Sequence, residues 1–266
     1  MSWQGLGLVS PSDLSDLRVS LHYGAILLGS ASQAMLEAQD DHSHTNLAFD
    51  PRLKSLVGRP LVAAQSRVLA LDLPRFRIVL RGPNRALSEY PLAGETMDRA
   101  LTWIQDALDV SLTITPLDFP DLPESDLRDG GAFRVPSEPA LVELASWFRS
   151  ALELIDDLRG EFAQLSEARV WPHHFDLGAL LPLSGAGERG LGIGFSPGDQ
   201  HYDQPYFYCS PYPSPAGRLP ELDWGHWHQD GFLSAILTAE ALLGAESMEQ
   251  AAREYVRSAI DAGTRL

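Results

Sequence analysis

The 266-residue sequence predicts an α+β fold, an antiparallel or mixed sheet packed by helices. Three observations predict it. Several short runs alternate apolar and polar residues with period two, and longer runs repeat apolar residues at the three-and-four spacing of a helix. With Cys209 as the single cysteine, no intrachain disulfide is available and packing alone must hold the fold.

From the N-terminus, Leu14 to about Glu37 places Leu14, Leu17, Leu21, Ala25, Leu28 and Met35 on one helical stripe, although Gly24 and Gly29 weaken it. His22 falls inside this helix and reads as a surface or hydrogen-bonded residue. After the polar break DDHSHTN, strands are expected over Leu47–Phe49, Arg67–Leu73 and Arg75–Leu80. In the last, Phe76, Ile78 and Leu80 alternate with arginines, so one face should be buried and the other wet. A helix from about Glu95 to Leu108 carries Met97, Leu101, Ile104 and Leu108 on its apolar stripe, and VSLTITPL returns as a strand.

The stretch Pro116–Pro136 is rich in proline, aspartate and glycine and is the best internal boundary. Beyond it Ser137 can cap a helix whose Leu141, Leu144, Phe148, Leu152, Ile155 and Leu158 form a continuous apolar stripe. Strands are expected at Val170–Leu181, Gly190–Phe195 and Pro205–Ser210, followed by a helix over Phe232–Leu243. Ser247-Met-Glu-Gln fits a capping box that opens the last helix, to about Ala262. The domain is read as 1–266 undivided, but 1–130 and 131–266 share one order of helix, histidine-bearing break and strands, which raises an internal duplication.

The balance of 20 basic against 36 acidic residues, a formal charge of −16, disfavours nucleic acid and anionic membranes as partners. The first twenty residues lack the basic and apolar regions of a secretory signal, and no apolar run approaches the ~20 residues of a membrane span, so a cytoplasmic protein is expected. G-x-S-x-G, Walker, H-E-x-x-H and G-x-G-x-x-G signatures are all absent. Cys209, mid-strand with no base beside it in sequence, reads as packing.

Chemistry concentrates in VWPHHFDLGALL, residues 170–181, where two histidines and an aspartate interrupt an apolar run. On a continuous strand His174 and Asp176 share one face, ~6.6 Å apart along the backbone. In SPGD, Asp199 sits at a tight turn, and in PYFYC alternation puts Tyr206 and Tyr208 on one side and Phe207 and Cys209 on the other. A polar pocket lined by His174, Asp176, Asp199, Tyr206, Tyr208 and Trp227 would bind a small molecule. The H-x-H pair His226 and His228, repeated at His42 and His44, supports an alternative in which His174, Asp176, His226 and His228 hold a divalent transition metal for hydrolytic chemistry. In the third alternative the histidines are inert members of a buried hydrogen-bond network in a structural or interaction protein.

The ordered motifs W-P-H-H-F-D-L, G-F-S-P-G-D, Q-P-Y-F-Y and W-H-x-x-G-F, between Trp171 and Leu237, resemble an uncharacterised bacterial family of unknown function. The resemblance marks His174, Phe175, Asp176, Ser196, Pro197, Gly198, Asp199, Pro205, Tyr206 and Tyr208 as a shared polar site and assigns none of them a role. Family members that carry an acidic residue at His173, or small residues across His173 and His174, speak against a shared metal site.

Overall fold

The computed structural model describes residues 3–61, 67–135, 137–184, 188–215 and 217–266, apart from the side chains of Ser12 and Asp16. Pro136, the end of the predicted boundary stretch, lies outside the described residues. The fold is α+β, with two antiparallel sheets of five and six strands. The chain forms two compact units that interleave in sequence: Ser15–Ala145 with Val170–Phe175, and Met1–Leu14 with Ser146–Arg169 and Asp176–Leu266. Among the described residues no helix is long and apolar enough to cross a membrane.

The first unit opens with α1 (Ser15–Met35) and continues through β1 (Ala48–Asp50), β2 (Ser55–Val57), β3 (Val68–Asp72), β4 (Arg77–Arg81), β5 (Ala86–Pro91) and α2 (Met97–Leu108). The five strands pair in chain order, each antiparallel to the next. Helix α1 is buried on every side from Ser20 to Ser32 rather than along one stripe. Its glycines explain themselves by close approach: a Cβ on Gly24 would come 2.9 Å from Leu71 on β3, and one on Gly29 3.0 Å from Leu117. Helix α2 forms as its sequence predicts, with Thr96 at the N-cap accepting from Arg99 N and with Met97, Leu101, Ile104 and Leu108 buried.

Three expectations fail in this unit. Strand β4 buries Val79 as well as Ile78 and Leu80, so its faces do not divide into wet and dry. Strands β2 and β5 carry no period-two apolar signal and were not expected. Residues 110–117 form no strand; Val110 N donates to Gln105 O at 3.2 Å, and two further amides are held by side chains, Ile114 N donating to Gln105 Oε1 at 3.3 Å and Leu117 N to Ser30 Oγ at 2.9 Å.

Helix α3 (Glu138–Glu161) begins in the first unit and ends in the second. The second unit then contains β7 (Asp176–Pro182), β8 (Gly190–Ser196), β9 (Tyr206–Tyr212), β10 (His226–His228), β11 (Ser234–Thr238), α4 (Ala239–Leu243) and α5 (Met248–Thr264). With β6 (Arg169–Trp171), the strands follow the order β10-β11-β9-β8-β7-β6. The helix expected over 232–243 is a strand for its first half. Ser234–Thr238 pairs with β9, and only Ala239–Leu243 is helical, capped by Thr238. On one face of β8 and β9, Phe195 and Phe207 pack with Trp147 of α3, whose ring lies within 6° of parallel to that of Phe195. Helix α5 starts at Ser247, which caps Gln250 N as the sequence predicts. Its Tyr255 hydroxyl is buried and donates to Ala235 O at 2.6 Å.

Candidate functional site

The run Val170–Leu181 is not one strand. Strand β6 ends at Trp171 and β7 begins at Asp176, because the backbone turns between them: His174 N and Phe175 N both donate to Trp171 O, at 3.2 and 2.7 Å, and Phe175 takes a left-handed φ of 57°. Pro172 has no N–H for a ladder, which favours the break there. Period-two counting therefore does not carry from His174 to Asp176. The two residues fall in different units, and the predicted pairing of His174 with Asp176 on one face is corrected.

Residues 170–175 belong with the first unit, where Val170 and Leu47 exchange backbone hydrogen bonds of 2.9 Å each. His22 Nε2 on α1 donates to Pro172 O at 2.7 Å, and its ring stacks on Phe175 at 5.2 Å. Burial holds the His22 imidazole down at about 4, so it is neutral, and Nε2 carries the proton because a carbonyl only accepts. His22, read as a surface or hydrogen-bonded residue, is a buried anchor for the His173–His174 turn.

This anchored turn puts His173 and His174 into an open cleft of about 150 Å³ bounded also by His42, Phe119, Pro120 and Asp121. The two adjacent rings meet edge to face at 4.4 Å, and Phe119 lies 5.7 Å from His173. Burial, with the neighbouring His174 and His42, holds His173 down at about 4. Both ring nitrogens of His44 are used: Nδ1 accepts from Gln39 N at 3.0 Å and Nε2 donates to Gln33 Oε1 at 2.8 Å. Its H-x-H partner His42, at a left-handed φ of 57°, turns into the cleft instead. Among the described residues, His42, His173 and His174 make no side-chain hydrogen bond. The sequence singled out these histidines but not Phe119 or Asp121, which lie in a proline-rich stretch whose composition signals only a connection.

Most of the remaining predicted site residues gather on one face of the second unit's sheet, but Trp227 does not: it pairs with Ala235, which pairs with Cys209, so it lies on the face opposite Tyr206 and Tyr208, and its predicted place in their pocket is corrected. Tyr206 and Tyr208 share that face, as alternation predicts. The Tyr208 hydroxyl donates to Asp176, and Tyr206 donates to Asp199 Oδ2 at 2.6 Å. Burial and these carboxylates push both phenols well above the usual tyrosine range. The Tyr208 ring fits against the sheet because Gly178 and Gly194 beneath it carry no side chain. A Cβ on Gly178 would come 2.5 Å from its hydroxyl, and one on Gly194 2.5 Å from the carbon that bears it. Asp199 Oδ1 meanwhile accepts from His201 N and Tyr202 N, at 2.8 and 3.0 Å, so this carboxylate closes its own turn.

His226 Nε2 and His228 Nδ1 both meet the Tyr202 hydroxyl, each at 3.0 Å. Since His228 Nε2 lies 2.7 Å from Asp230 O, an acceptor only, Nε2 donates there and Nδ1 is the nitrogen left to accept. Tyr202 then donates to His228 and accepts from His226, a consistent chain that occupies both ring nitrogens of His228 and the Nε2 of His226. Trp227 Nε1 donates to Pro220 O at 2.7 Å. Among the described residues no group of three His, Cys, Asp or Glu side chains is placed to hold a metal ion. The predicted set His174, Asp176, His226 and His228 supplies no such group, and Tyr202 takes one ring nitrogen of each of the last two.

The chain matches no protein-family model, no curated protein and no solved structure.

Proposed function

We propose that this protein binds a small polar molecule in the cleft of His42, His173, His174 and Asp121. One observation carries the reading: of the eight histidines, the three without a side-chain hydrogen bond among the described residues are the three that line one cleft, brought there from two distant segments. Histidines kept only for packing are bonded, as His22, His44 and His228 are.

A neutral imidazole offers one donor and one acceptor, Asp121 adds an acceptor and Phe119 a ring surface, which suits a ligand bearing hydroxyl, amino or amide groups. The formal charge of −16 works against anions. The volume, about 150 Å³, is well below the ~300 Å³ at which sites for drug-sized ligands begin, so the ligand is a few heavy atoms or a protruding group of something larger. Acid–base catalysis is less well supported, because His173 at about 4 is a weak base at neutral pH.

Imidazole-detected NMR, with small diols, amino alcohols and amides as probes, tests the reading. At least one probe class should shift the His173 and His174 ring signals, and His174→Ala should abolish the response without changing thermal stability. If no probe at millimolar concentration moves those rings, or if His174→Ala leaves the response intact, the proposal fails.

A further inference from the structure

A larger cavity of about 280 Å³ lies in the first unit between α1, the start of α2 and the residues that follow it to Gly130. Its floor is apolar, with Ile26, Leu122 and Leu127 among its lining, and its wall carries Tyr23, Asp98 and the ion pair of Arg128 with Asp118. From these residues we infer that the cavity binds a small zwitterion with an apolar body, an α-amino acid with an aliphatic side chain.

The polar groups divide into the two halves that such a ligand requires. The Tyr23 hydroxyl is committed as a donor to Pro123 O at 2.7 Å, so what it can still offer is its lone pairs. Burial raises Tyr23 above the usual phenol range and keeps it neutral. Asp98, exposed in the first turn of α2, has no hydrogen-bond or ion-pair partner for its carboxylate among the described residues. Two acceptors, one of them charged, therefore await an ammonium group. Arg128 uses only one Nη for Asp118 and keeps donors of its fork free for a second carboxylate. Asp98, Asp118 and Arg128 together leave the wall one charge negative, so a free anion is repelled while a zwitterion brings its own compensating ammonium. The apolar floor disfavours a fully polar ligand, and the volume lies just under the ~300 Å³ at which sites for drug-sized ligands begin, as suits an amino acid.

The test is calorimetry on the full chain with three probes: L-leucine, isoamylamine, which lacks the carboxylate, and 4-methylpentanoate, which lacks the ammonium. Leucine should bind, and each truncated probe should bind at least ten-fold more weakly, the loss of one charge-assisted contact. Asp98→Asn and Arg128→Gln should each weaken leucine about ten-fold or more, while Asp118→Asn, which frees Arg128, should leave leucine as tight or tighter. All three substitutions are at side chains open to solvent, and unchanged thermal midpoints verify that the variants fold. Isoamylamine binding as tightly as leucine and indifferent to Arg128→Gln would overturn the inference in favour of a simple cation site. Absence of heat for all three probes, or leucine binding untouched by both Asp98→Asn and Arg128→Gln, would overturn it altogether. The histidine cleft is not involved, so His174→Ala should leave every one of these affinities unchanged.

Discussion

The two histidine-rich regions use the same side chain in opposite ways. In the second unit, His226 and His228 converge on a phenol that bonds to both, and Asp176 and Asp199 each take a hydroxyl from a tyrosine on the same sheet face. In the first unit, His22 and His44 are satisfied in the same manner, yet His42, His173 and His174 are left open to a cleft. A histidine's sequence spacing does not distinguish the two outcomes, since both regions carry an H-x-H. What distinguishes them is whether the fold supplies a partner at the ring nitrogens, and that is decided by residues elsewhere in the chain, Tyr202 in one case and Gln33 in another.

If the second unit's polar face is a closed structural network, it should be intolerant of change, and the largest effect should come from the glycines beneath it. Gly194→Ala drives a methyl into the Tyr208 ring and against Leu177 O, each about 2.5 Å away, and should cost about 3 kcal/mol in denaturant unfolding. Gly192→Ala on the same strand and face meets nothing closer than 3.9 Å and should be close to neutral. Equal losses at the two positions would break the argument that the close contacts at Gly194, with the Tyr208 ring and with Leu177 O, are what require glycine there.

The first unit's anchor predicts a pH dependence. His22 is held at about 4 in the fold against 6.5 in the unfolded chain, so the unfolded state takes up the proton first. Stability should therefore fall as pH drops from about 6.5 to about 4, by up to ~3 kcal/mol, and be constant above. His22→Gln, which cannot charge, should remove the larger part of this slope in urea titrations run across that window, the remainder coming from His173, also held at about 4 but partly exposed. A slope unchanged in the variant would place the acid sensitivity in another group.

Tyr208→Phe removes the hydroxyl that Asp176 accepts, and the loss should be about 2 kcal/mol by thermal or chemical unfolding. The smallest effects should come from the cleft: His173→Ala and His174→Ala break no hydrogen bond and should stay within about 1 kcal/mol of wild type. His44→Ala, which breaks two, should cost more. A larger loss at His174 than at His44 would mean that the cleft histidines are structural after all.

Much of the fold was legible in the sequence where elements carry their own signals. Helices α2 and α5 have apolar stripes and side-chain caps, and β3 and β8 have apolar runs bounded by turns. Strand β5 was illegible because most of its residues face solvent and nothing in it alternates. Strand β11 was read as helix because SAILTAEALL is apolar at both periods, and pairing with β9 decides between them. The candidate site was half legible. The adjacent histidines mark the turn, and Pro172 inside the presumed strand was the available sign of a break. Phe119 and Asp121, with no periodic context, gave none. The phenol that occupies His226 and His228 could not be foreseen, since it depends on where the chain after Asp199 comes to lie.

The interleaving of the units along the chain bears on how the molecule is made. Neither unit is an unbroken length of polypeptide: residues up to Leu14 belong with strands that begin only at Asp176, and the first unit is incomplete until Val170–Phe175 have been synthesised. During translation the first unit must wait, with its β-meander already outside the ribosome, for a six-residue piece that arrives after the whole of α3. That piece carries Pro172 and Phe175, the contacts of His22, together with the two cleft histidines. Closing the first unit and building its candidate site are thus a single late event in the life of the nascent chain, and a ribosome stalled before residue 170 would display neither.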